Sequence, residues 1–224
     1  MKRLVFDLIQ HGQAAELAAQ LANHAQLAEA QNPDGISALR VAVYHHQPAI
    51  RDLLLPYLPE LDIFDAAAVG DTERIDQLLS FDPSLVASYS SDGWTPLHLA
   101  AAFADEATVR LLLERGADAH ARSHNDLASK PLHACIARFG SVASARDLIA
   151  YGANVNATQS GDITPLHLAA AQGKPEMVQL LLQQGASPTA RASDGKQPLD
   201  LARERGHAQV AEQLATLSAI DSAS

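Results

Sequence analysis

The residues most able to do chemistry are three histidines, His98, His133 and His167, and a single cysteine, Cys135. The histidines recur at intervals of about 35 and 34 residues. Imidazoles at one repeated position suggest metal ligands, and a lone thiol suggests a nucleophile. If each histidine sits on its own helical unit, neighbours stand about a helix diameter apart, ~10 Å. Zinc ligands instead converge within about 2 Å of one ion. Three stacked units cannot share an ion, so each imidazole is expected to bond to nearby threonine and backbone groups. Cys135 falls in a slot that other units fill with alanine, which reads as a packed apolar group. His45, His46, His120 and His124 are the exposed candidates, and none has a second strong ligand at metal-ligating spacing. No Gly-rich phosphate loop, G-x-S-x-G, H-E-x-x-H or C-x-x-C occurs. The expectation is no catalytic residue, no metal and no cofactor.

The elements that position the histidines are repeated. Thr95-Pro96-Leu97-His98-Leu99-Ala100-Ala101 recurs as Thr164-Pro165-Leu166-His167-Leu168-Ala169-Ala170. Lys130-Pro131-Leu132-His133-Ala134-Cys135 and Gln197-Pro198-Leu199-Asp200-Leu201-Ala202 are degraded copies. The threonine hydroxyl can accept an amide hydrogen bond from the first turn of a helix. Proline follows at the first helical position, where its missing amide costs nothing. Alanine pairs let neighbouring helices approach closely. Gly116, Gly152 and Gly185 end second helices, where a left-handed backbone is needed.

Composition narrows the partners. The formal charge is −10, which argues against a nucleic-acid backbone or an anionic membrane. Only 4% of residues are aromatic, so the interior must be built from Ala, Leu, Val and Ile. The N-terminal apolar run is interrupted at Asp7, too early for a signal-peptide core, and no stretch reaches the roughly 20 residues of a membrane span. One cysteine fits a reducing compartment. A cytoplasmic protein, monomeric when free, is expected.

In chain order, residues 1–33 read as a cap-like helix pair, with a second helix from Ala14 to about Ala30. Residues 34–60 and 61–90 read as atypical units. Ser37-Ala38-Leu39-Arg40 occupies the Thr-Pro-Leu-His slot. Ala42 to Ala66 is 24 residues, about one connecting finger short of a period, so these units should join without a hairpin. Residues 91–190 hold the core repeats. The finger before Lys130 is about two residues longer than its neighbours, at His124–Ser129, and one extra residue falls near Phe139-Gly140-Ser141. Residues 191–217 form a final unit with Gln209, Glu212 and Gln213 on an outer face, as a terminal repeat requires. Residues 218–224 are expected to be a flexible tail.

The period and the T-P-L-H-x-A slots resemble the ankyrin-repeat family. The resemblance covers about residues 4–217 as a single array of about seven units, strongest from Asp92 to Leu214. It implies an all-α solenoid of stacked helix-turn-helix units with protruding finger loops or hairpins. It also implies a non-enzymatic protein-binding module gripping its partner on a concave face of finger tips and first helices. Carried onto this chain, those positions are Tyr89, Ser91, Asp92, Trp94, Ala102 and Phe103. The next units add Arg122, His124, Asn125, Ala137 and Arg138, then Thr158, Ser160, Ile163, Ala171 and Gln172. The last adds Arg191, Ser193, Asp194, Lys196, Glu204 and Arg205. Tyr89, Trp94 and Phe103 fall together in a chain with ten aromatics, the grouping expected of interface anchors. The competing reading is that the longer neighbouring finger folds over them. An inhibitor or positioning subunit of a partner enzyme is the alternative role, and an enzyme in its own right the remote one.

Overall fold

The computed structural model describes residues 2–221. Among the described residues fourteen α-helices follow one another in seven pairs, and the only β-pairing is two isolated bridges. The pairs are α1 (Lys2–Gln10) with α2 (Ala14–Asn23), and α3 (Ala38–Tyr44) with α4 (Pro48–Leu54). Next come α5 (Ile63–Val69) with α6 (Thr72–Phe81), and α7 (Pro96–Phe103) with α8 (Glu106–Glu114). Then follow α9 (Pro131–Ala137) with α10 (Val142–Ala150), and α11 (Pro165–Ala171) with α12 (Pro175–Gln183). The last pair is α13 (Pro198–Glu204) with α14 (Ala208–Asp221). Each first helix packs on the next first helix, and second helices on second helices, so the chain is an all-α repeat solenoid. One step is thin: α4 and α6 are not a closely packed pair.

The first helices start as their sequence dictates. Thr95 and Thr164 are extended, and each Oγ1 accepts the amide of the histidine three residues on, at 3.3 Å. Leu97, Leu99, Ala100, Ala101, Leu166, Ala169 and Ala170 are wholly buried, and one continuous core runs through the stack. Seven-residue helices are too short to hold themselves together in water; stacking supplies the burial that fixes them.

Fingers precede α3, α7, α9, α11 and α13. In four of them the strand-like arms close four residues apart, Asn32 N–H on Ile36 O, Ser90 N–H on Trp94 O, Gln159 N–H on Ile163 O and Ala192 N–H on Lys196 O. Adjacent fingers also bond to each other: His124 N–H to Gly93 O, Ser160 N–H to Leu127 O, and Ser193 N–H to Gly161 O, at 2.8–2.9 Å. Gly93 is required there, because a Cβ would lie 2.6 Å from the His124 backbone. No finger precedes α5: the chain passes from a 3₁₀ turn at Leu55–Tyr57 into Asp62, whose side chain caps α5.

Two expectations change. The helix expected from Ala14 to Ala30 ends at Asn23, and a 3₁₀ turn, Ala25–Glu29, follows. Leu21 to Leu27 is a six-residue step, which falls off a helical stripe; the turn lets Leu17, Leu21 and Leu27 all be buried. At the other end α14 continues to Asp221, into the segment expected as tail; residues 222–224 of that segment lie outside the described residues.

Candidate protein-binding surface

The three histidines are structural. His98 Nδ1 lies 2.8 Å from Thr95 Oγ1 and accepts the Thr95 amide at 3.3 Å, which leaves Nε2–H to donate to Ser129 O, 3.1 Å away in the next finger. His167 repeats this with Thr164 and Lys196 O. His133 reaches Ala157 O and Ile163 O, although Lys130 replaces the threonine. Burial holds His98 and His133 neutral, their pKa values lowered to about 4. Burial pushes the Cys135 thiol up to about 12, and a thiol so protonated is a poor nucleophile. Among the described residues no three His, Cys, Asp or Glu side chains are grouped to hold a metal.

Three slots break the pattern: α13 carries Asp200, and the other two lie side by side. Where other units have histidine, α3 carries Arg40 and α5 carries Asp65. No finger precedes α5 to offer α3 the carbonyl that the histidines use. Arg40 Nε instead donates to Asp65 Oδ1 at 2.7 Å, and Ser37 Oγ donates to the same oxygen. Arg40 Nη1 lies 3.8 Å from Asp92 Oδ1, in the finger beyond. Both members of the pair are buried. Burial, and then the neighbouring Asp62 charge, raise the Asp65 pKa against the pull of Arg40.

The anticipated contact residues divide into three places. Tyr89 and His124 lie flat on each other at the finger tips, ring centroids 3.6 Å apart, and the Tyr89 hydroxyl donates to Arg122 O. The longer finger therefore does fold over Tyr89, yet Tyr89 stays 37% exposed and brings with it exposed Leu127. Ser91, Arg122, His124 and Ser160 are exposed on this row, Ser160 Oγ donating to Asp126 O. Trp94 is half-buried at the base of α7, edge-on to His98. Phe103 is at the opposite end of α7, stacked on Tyr44 at 5.2 Å, with the Arg138 guanidinium 6.0 Å above it. The three aromatics that the sequence groups together thus share no ring contact with one another among the described residues.

Several polar positions are tied internally. Asp92 accepts from the Tyr44 hydroxyl and from Ser90 Oγ, and Asn125 Nδ2 donates to Asp92 O. Gln172 Nε2 donates to Ala137 O, and Lys174 Nζ to Ile136 O and Arg138 O, so each closes the end of the preceding first helix. Lys196 pairs with Glu204 and Asp194.

Tyr44, His46 and Phe139 are not among the residues the repeat slots point to. Phe139 is 54% exposed and stacks on His46, centroids 4.3 Å apart, while its ring also tilts against Phe103. A signal was present: Phe139 sits in the one-residue insertion, and His46 occupies the position after α3 where Gly12, Gly173 and Gly206 follow their helices with positive φ.

A stack of capped helix pairs with a row of bonded fingers defines a helical repeat scaffold. Residues 63–159 and 132–222 match the family described as ankyrin repeats in three copies. The chain is 31% identical over 189 residues to the putative ankyrin repeat protein YahD of Escherichia coli, covering 94% of that protein and 68% of this chain. This protein belongs to the ankyrin-repeat family. It is also 33% identical over 152 residues (68% of this chain) to a Caenorhabditis elegans homologue of transient receptor potential cation channel subfamily A member 1. Against the Drosophila tyrosine-protein kinase Shark it is 40% identical over 150 residues (66% of this chain). It spans only 12% and 16% of those two proteins. No helix among the described residues is long and apolar enough to cross a membrane.

Proposed function

We propose that this chain is a non-enzymatic binding module that grips a partner protein along its fingers and first helices. The observation that carries the reading is the finger row. Tyr89, Ser91, Arg122, His124, Leu127 and Ser160 present exposed side chains on backbone that adjacent fingers hold by direct hydrogen bonds. Such a surface is ordered before binding, so little conformational entropy is lost on association. The net charge of −10 favours a protein with basic character over nucleic acid. A single buried cysteine, Cys135, fits a reducing, cytoplasmic setting, and the free chain acts as a monomer.

A second role is as a positioning or inhibitory subunit of an enzyme. It is favoured because the kinase relative is an enzyme in which the matched region is a small share of the length. The test of the main reading is affinity for a partner recovered from host lysate. Tyr89→Ala and Trp94→Ala should each weaken binding by about 2 kcal/mol or more with the helical spectrum retained. Glu114→Lys, on the exposed end of α8, should change it by less than about 0.5 kcal/mol. Unchanged affinity in both aromatic variants would remove the finger row from the interface.

A further inference from the structure

The second surface lies at the other end of the first helices, away from the fingers. A cleft of about 100 Å³ is lined by Ala42, His46, Arg51, Ala68, Phe103 and Phe139, among others. Its floor is Ala68 of α5, which leaves little side-chain bulk. One wall is the turn after α3 and the other is Phe103 with Phe139. The cleft therefore spans four consecutive helix pairs.

Three observations show that this place is built. Phe139 is fixed, since its N–H bonds to Ala102 O at 3.0 Å and Gly140 N–H bonds to Cys135 O at 3.1 Å. Gly140 is indispensable to that turn, because a Cβ would meet Ala101 O and Cys135 Sγ at 2.5 Å. Across the cleft, His46 has φ +53°, a left-handed backbone that disfavours any residue with a Cβ. Glycine would fit better there, yet the position carries an imidazole stacked on Phe139. Strain of this kind collects at functional sites.

The occupant follows from size and charge. The cleft is well below the roughly 300–1,000 Å³ of small-molecule sites, so it takes one side chain, not a cofactor. No carboxylate lines it. His46 and Arg51 do, Arg51 already paired with Asp52 at 2.7 Å, while Arg138 lies over the Phe103 ring and makes no ion pair among the described residues. We infer that this cleft receives an aliphatic side chain of a partner protein segment whose flanking residues are acidic, a local preference set by Arg138 within a surface that is otherwise negative and favours basic partners. The inference rests on the binding-module reading and names a second site within it.

The test uses nuclear magnetic resonance on the full chain with three synthetic peptides. One has a central leucine flanked by glutamates, one has lysines for the glutamates, and one has alanine for the leucine. The leucine–glutamate peptide should shift the amide signals of residues 42–51 and 138–140. The other two should bind at least about tenfold more weakly, a difference of ~1.4 kcal/mol. Phe139→Ala should abolish the shifts. His46→Gly should weaken binding while its melting temperature is equal or higher, an outcome a purely structural histidine would not give. No shift at millimolar peptide, shifts confined to the fingers, or equal binding of the lysine peptide would each overturn the inference. A partner that binds the fingers with the cleft signals silent would overturn it and leave the module reading standing.

Discussion

The halves of the array solve the same joining problem differently. In the regular half α7, α9 and α11 are each tied to the next finger by a neutral imidazole donating to a backbone carbonyl. Between α3 and α7, where one finger is missing, a buried arginine–aspartate pair spans the gap and reaches on to Asp92. A neutral histidine buried with both ring nitrogens satisfied carries little desolvation cost. A buried ion pair carries a large one and is strongly destabilising to break, because the surviving charge has no partner. The regular half is therefore tolerant of polar change, and the irregular half is brittle.

The sharpest break of this comparison is Asp65→Ala, which strands Arg40 in the core. It should cost about 3–5 kcal/mol in denaturant unfolding, and a loss below ~1 kcal/mol would show that Arg40 finds water or Asp92 instead. Leu166→Ala, in the regular half, removes a wholly buried side chain and should cost about 2–5 kcal/mol. Damage there is expected to appear as partial unfolding of neighbouring units.

The two halves also differ in their response to acid. Burial lowers the folded pKa of His98 and His133 from 6.5 to about 4, and lowers that of His167. The unfolded chain then binds more protons than the folded chain between those values. Their stabilising contribution is complete above pH 6.5 and is lost as pH falls towards 4. Asp65 has its pKa raised, so it opposes this loss near the acid end. Melting temperature should fall through that window, and His133→Gln should flatten the slope; a slope unchanged in that variant would refute the assignment.

The finest test compares two equivalent caps. Thr95→Ala removes a neutral cap, about 0.5–2 kcal/mol. Ser37→Ala removes a cap that also donates to the buried Asp65 carboxylate, where a bond to charge is worth about 1.5–3 kcal/mol. Ser37→Ala should be the costlier by about 1 kcal/mol, measured by chemical denaturation of the two variants.

Much of this architecture is legible in the residues, because the repeat makes each slot an independent witness. The roles of Thr95, Pro96, His98 and the alanine rows follow from the motif alone. The missing finger shows as a ten-residue deficit. What fills it does not show, although Arg40 and Asp65, opposite charges in consecutive histidine slots, were a readable sign. The binding surface was less legible. Slot positions say which way a side chain leaves its own unit, not what reaches it from another. Tyr44 crosses to Phe103 and Asp92, and His46 crosses to Phe139, contacts between units that no local pattern encodes. The end of α2 was missed for a simpler reason: apolar residues at 17, 21 and 27 look helical until the last step is counted as six.

The direction of the histidine bonds has a consequence for how the molecule is made. His98, His133 and His167 each donate forward, to a carbonyl that follows in the chain by 24 to 31 residues. During synthesis a newly emerged helix pair therefore holds a buried donor without an acceptor until the next finger leaves the ribosome. Growth from the N-terminus always ends on an unfinished unit. A chain cut short after α12 would leave His167 unsatisfied, whereas one begun late would leave only finger carbonyls for water to cover. Loss from the C-terminal end is expected to be the more damaging of the two.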